Sequence, residues 1–157
     1  MSEPKTIIDE KPTQQTPTAE SELAFGRTHY ESAMDKQDPI ARRPELEEAV
    51  GHFQASIRMA PDSLEGYGWL AQTYRMLAAS TRASDPDQAE FYTRFACAVA
   101  WEGSSRSTSP AATPIRVKQE VRTLIAWLRT TRHLSPEHAE EEMKTLREQC
   151  LDVAIGG

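Results

Sequence analysis

The chain has 157 residues, 38% of them hydrophobic and 27% charged, with a net charge of -6 and a pI near 5.3. That length can bury one hydrophobic core, and that composition is globular rather than membranous. An acidic balance disfavours nucleic acid and anionic lipid as partners, because both attract basic surfaces. No apolar run approaches the roughly 20 residues of a membrane span, and the first residues lack the apolar stretch of a signal peptide, so a cytoplasmic location is expected.

Residues 1–18 carry Pro4, Pro12 and Pro17 among Thr, Gln, Lys and Glu. Such a segment offers little apolar surface to offset its ordering entropy, and a flexible tail is expected there. From Ala19, Leu23, Gly26, Tyr30, Ala33 and Met34 recur at helical spacing and predict a first helix ending near Lys36. Pro39 and Pro44 should then break regular structure, with Pro44 in the first turn of a second helix. Its apolar face is Leu46, Ala49, Val50, Phe53, Ile57 and Ala60.

After Pro61, the spacing of Asp62 and Glu65 predicts a capping box that opens a third helix with Leu64, Tyr67, Leu70, Ala71, Tyr74 and Leu77 inward. Asp85, Pro86 and Gln88 supply a cap, a first-turn proline and a third-position amide for a fourth helix, which buries Tyr92, Phe95, Ala96 and Val99. Residues 103–113 are rich in Ser, Thr and Pro and read as a loop. Thr113 with Pro114 then starts a fifth helix along Val117, Val121, Leu124 and Leu128. Ser135 with Pro136 starts a sixth along Ala139, Met143, Leu146, Cys150 and Val153.

These last two stripes repeat at steps of four and three, which suits an antiparallel hairpin over residues 114–154. The charges complement one another. The fifth helix carries Arg116, Lys118, Arg122, Arg129 and Arg132 against Glu120, net +4. The sixth carries Glu137, Glu140, Glu141, Glu142, Glu148 and Asp152 against Lys144 and Arg147, net -4. On this reading the acidic helix neutralises the basic one.

Ala49-x3-Phe53 followed by Pro61, and Tyr67-x2-Leu70-Ala71-x2-Tyr74, together resemble the tetratricopeptide repeat pattern across the junction of two repeats. The resemblance covers about residues 20–101 as two irregular repeats within a repeat region of 19–102. Residues 114–154 form a third hairpin or a cap. It implies an all-α fold of antiparallel hairpins stacked as a short right-handed solenoid of about six helices. It also implies a groove that receives a peptide or helix of another protein, with Arg27, Glu31, Glu65, Gln72 and Arg75 facing it. Gly68 and Gln72 stand where chaperone-binding relatives carry a Lys and Asn clamp, so a chaperone tail is not the expected ligand.

His29, His52, His133 and His138 are scattered, with no HExxH and no His/Cys spacing that would hold a metal, and only His133 and His138 lie close enough in sequence to approach each other. Glu140, Glu141 and Glu142 point in different directions on a helix and read as a solvated face. Cys97 and Cys150 read as reduced, buried thiols. Phosphate-binding and nucleophile motifs are absent. The chain is therefore expected to be a protein-binding adaptor or scaffold, not an enzyme, with no cofactor and no metal. The alternatives are a constitutive subunit of a larger assembly and a helical hydrolase whose site assembles only in three dimensions. Because Gln72 and Arg75 lie off the stripe of Tyr67, Leu70 and Tyr74, Arg75→Glu is expected to weaken binding while barely changing stability.

Overall fold

The computed structural model describes residues 16–157. Six α-helices account for most of them, and no strand occurs among the described residues. They are α1 (Ala19–Met34), α2 (Pro39–Met59), α3 (Glu65–Thr81), α4 (Pro86–Arg106), α5 (Ile115–Arg132) and α6 (Pro136–Ala154), with a 3-10 turn at Pro110–Ala112. The all-α expectation holds. Most of the expected tail, residues 1–15, lies outside the described residues. At its end Thr18 caps α1, in a reciprocal pair with Ser21.

Most helix starts are where short polar side chains and prolines place them. Asp38 accepts from the Ile40 N–H with Pro39 first in α2, Asp85 accepts from Gln88 with Pro86 first in α4, and Ser135 accepts from His138 with Pro136 first in α6.

Four local expectations are corrected. Pro44 sits inside α2 rather than opening it. Its missing N–H leaves only the Ile40 carbonyl without a helical partner, and Ile40 lies in an exposed first turn where water can solvate that group. The box at Asp62 and Glu65 does not form: Leu64 caps α3 with no side-chain bond, and the exposed Asp62 carboxylate lies 3.3 Å from Arg106 Nη1. The expected loop at 103–113 begins four residues late, because α4 runs on to Arg106. Gly103 packs there against α3, where an added Cβ would lie 2.8 Å from the Tyr67 Cβ, so this glycine marks a close approach and not a turn. Val153 is exposed, and Ala154 takes the inward position at the end of α6.

The hairpins α1–α2 and α3–α4 stack through α2 and α3. The core runs continuously from Tyr30, Leu46 and Phe53 through Tyr67, Leu70 and Leu77 to Val99, Leu124, Leu128 and Met143. Gly26 permits α1 to close on α2, since a Cβ there would lie 2.5 Å from the Phe53 ring. The α5–α6 pair departs from a simple hairpin. Both helices lean on α4, α6 more extensively than it leans on α5, and α5 also covers α3. Residues 115–154 are thus packed on α3 and α4 more than on each other.

The charge pairing follows suit. Arg132 to Glu142, at 2.6 Å, is the α5–α6 ion pair, whereas Arg147 of α6 reaches Glu102 of α4 at 2.5 Å and Glu120 of α5 reaches Arg75 of α3 at 2.7 Å. The end of α6 turns back to the first half of the chain. Tyr74 Oη donates to the Ala154 carbonyl at 2.6 Å, Gln54 Nε2 to the same carbonyl at 3.1 Å, and Arg58 Nη1 to that of Ile155 at 3.1 Å.

Candidate functional site

The side chains expected in a groove divide into two groups. Arg27 and Glu31 on α1, and Glu65 at the start of α3, are exposed. Gln72 and Arg75, one turn apart on α3, are half-buried beneath α5 and satisfied within the chain. Gln72 Nε2 donates to Tyr30 Oη at 2.6 Å, and its Oε1 accepts from Arg116 Nη1 at 2.5 Å. Arg75 makes a two-pronged pair with Glu120, Nε to Oε1 at 2.7 Å and Nη2 to Oε2 at 2.9 Å. Glu120 is buried, and its hydrogen bonds hold the Arg75 guanidinium pKa above its usual value. The expectation that Gln72 and Arg75 stand free for a ligand is corrected, because α5 occupies that face. Gly68 allows it to do so: a Cβ there would lie 3.0 Å from the Arg116 side chain.

Around this junction the aromatic groups converge. The Trp69 ring stacks on Phe53 at 5.8 Å and meets the edge of Tyr30 at 5.6 Å. Two guanidiniums flank it, Arg116 at 3.7 Å from the ring centroid and Arg27 at 5.2 Å. A cation held on an indole face is worth roughly 0.5–2 kcal/mol according to its desolvation, so Trp69 ties α1, α3 and α5 together. Burial, partly offset by the bond to Gln72, raises the Tyr30 pKa, so its hydroxyl stays protonated.

The outward face of α5 has a distinct character. Lys118, Arg122 and Arg129 fall on one stripe at helical spacing, with Ile115 beside them, and all four side chains are exposed. Among the described residues no ion pair engages any of those three cations. The sole acidic residue of the helix, Glu120, is turned inward to Arg75. The expected neutralisation of this face by α6 is therefore absent at those three positions. Arg116 projects from a different side of α5, where it and Arg27 lie against Trp69.

A cleft of about 180 Å³ lies between α3, α4 and α5, lined by Arg75, Arg82, Thr93, Thr123 and Trp127. It is smaller than the roughly 300–1,000 Å³ of most small-molecule sites. Burial drives the Cys97 thiol pKa up to about 12 and also raises that of the half-buried Cys150. Neither environment favours the thiolate a nucleophile requires.

The histidines are not all scattered. His29 of α1 and His52 of α2 face each other with near-parallel rings 5.3 Å apart. Glu48 lies one turn before His52, and one ligand-capable atom from each of the three falls within 4.8 Å of the others. His133 and His138, the pair close in sequence, are both exposed at the α5–α6 turn. No protein-family model, no curated protein and no solved structure matches this chain.

Proposed function

We propose that the chain is a protein-interaction module that receives an acidic segment of a partner, a helix or an extended peptide, on the outward face of α5. The observation that carries this reading is the basic stripe of Lys118, Arg122 and Arg129, without an ion pair among the described residues, on a chain whose net charge is -6. Against an acidic background, a local basic face steers complementary partners and rejects like-charged ones. Ile115, 70% exposed beside the stripe, supplies an apolar contact of the kind that anchors a helix in a groove. The tetratricopeptide-like motifs support the same class of function, with the ligand surface moved outward from Gln72 and Arg75 onto the helix that covers them. The unpaired cysteines suit a reducing compartment such as the cytoplasm.

Three cations are few for nucleic acid, where tight binders neutralise roughly 6–10 phosphates. The test is titration of the full chain with a Glu-rich helical peptide and with a duplex oligonucleotide, repeated for the triple variant Lys118→Glu, Arg122→Glu, Arg129→Glu. Peptide binding that weakens with salt and falls at least about tenfold in the triple variant supports the module. Preferential retention of the duplex would replace it with a nucleic-acid reading. Stoichiometric partners from the native source that resist high salt and ignore the triple substitution would replace it with a permanent subunit.

A further inference from the structure

The pair of histidines between α1 and α2 is organised more closely than a surface contact requires. Each ring presents its Nδ1 to a different carboxylate: His29 to Glu45 Oε1 at 2.6 Å and His52 to Glu22 Oε1 at 2.8 Å. Glu45 is itself oriented, accepting from Ser32 Oγ at 2.9 Å. A carboxylate on Nδ1 fixes the proton there, turns the Nε2 lone pair outward and raises its basicity. This is the outer-shell arrangement that supports histidine ligands to metals.

Both rings are so held, on neighbouring helices, and a third donor stands beside them. Glu48 and His52 are four residues apart on α2 and so share a face. Glu48 is exposed and makes no ion pair among the described residues. We propose that His29, Glu48 and His52 form a binding site for a divalent cation of the zinc class, joining α1 to α2 and leaving a fourth position for water. Two imidazoles with one carboxylate are the donor set such ions take, whereas calcium and magnesium prefer oxygen alone. With bonds of about 2.0–2.1 Å, donors on a tetrahedral ion lie roughly 3.3 Å apart, so loading draws the three inward. The exposed Glu48 side chain can adjust its own distances to the ion, and the remaining approach is between the two imidazoles across the α1–α2 seam.

The experiment is titration of the untagged full chain with Zn²⁺ alone, against a chromophoric chelator, with Co²⁺ substituted to read the ligand field. The expected result is one ion per chain, a visible Co²⁺ spectrum of low coordination number, and a melting temperature raised by Zn²⁺ and restored by chelator. His29→Ala, His52→Ala and the solvent-facing Glu48→Gln should each weaken binding by about 100-fold or more. Glu22→Gln and Glu45→Gln should each cost about 10–100-fold, and His133→Ala nothing. Glu48→Gln keeps the test decisive if a histidine variant loses helicity. Binding below one ion per chain, or affinity unchanged in Glu48→Gln together with either histidine variant, would overturn the site and leave the four side chains around the histidine pair as a polar seam between two helices.

Discussion

Removing the Arg75 guanidinium tests how α5 is fastened to α3. Arg75→Ala leaves Glu120, only 3% exposed, without its ion-pair partner. Breaking a buried pair in this way costs roughly 3–5 kcal/mol. The Arg75 side chain is 34% exposed, so water entering the vacated space offsets part of that penalty, and about 2–4 kcal/mol is expected. At roughly 2–4 °C per kcal/mol for a chain of this size, the melting temperature should fall by about 4–16 °C. Glu120→Gln leaves the partly solvated arginine behind and should cost less, about 1–2 kcal/mol. The double variant Arg75→Met, Glu120→Leu should regain much of the loss, because replacing both charges by apolar groups removes the unpaired one. Arg75→Glu should be worse than Arg75→Ala, since two carboxylates would then share a buried site. Denaturant titration reads all four variants, and the double variant Arg75→Ala, Glu120→Gln closes the cycle that gives the coupling energy. A loss below about 1 kcal/mol for Arg75→Ala, with no coupling to Glu120, would refute the docking of α5 through this pair.

Four further outcomes are expected. Phe53→Ala should destabilise by about 3–5 kcal/mol, because its fully buried ring fills the space between Gly26 and Trp69, and a denaturant midpoint near wild type would contradict that packing. Gly26→Ala should cost about 1–3 kcal/mol by forcing a methyl against that ring, read by the same titration. His133 ends α5 in the left-handed region at φ 55°, so His133→Gly should stabilise by about 0.5–1 kcal/mol; a lower melting temperature would argue against that conformation. Burial pushes the Glu102 pKa up, but bonds from Arg147 and Arg106 outweigh it and leave the net shift downward. Its stabilising contribution is thus full above the ordinary carboxylate value of 4.5 and is lost as pH falls below it, so Glu102→Gln should flatten the acid limb of stability against pH.

The sequence exposes those parts of this fold that depend on neighbours along the chain. Asp85 with Pro86 and Ser135 with Pro136 start helices where they must, because caps act within three residues. Pro44 and Gly103 mislead for the opposite reason. Each has a common role in breaking helices, and the outcome here depends on solvent at Ile40 and on Tyr67 of another helix. The groove residues could not be assigned correctly from periodicity, since Gln72 and Arg75 do leave the apolar stripe of α3, and only the placement of α5 covers them. The clue was present in Glu120, the lone acid of a basic helix, but its partner is 45 residues away. The histidine pair was closer to view. Glu48 and His52 share a helical face, and once Gly26 is set against Phe53, antiparallel helices bring the residue three beyond the glycine beside the one preceding the phenylalanine.

The hydrogen bonds from Tyr74, Gln54 and Arg58 to the last carbonyls of α6 span 80 to 100 residues of chain. In a linear array of helical pairs, each unit touches only its neighbours, and the ends fray independently of the middle. Here the end of α6 is tied by side chains back to α2 and α3, so the contacts from α2 to α6 close on themselves, with α1 outside that circuit. Slow amide exchange should therefore report one global opening event shared by α2, α3 and α6. Folding must also wait for loop closures over most of the described chain, which slows it relative to an open array of the same helices.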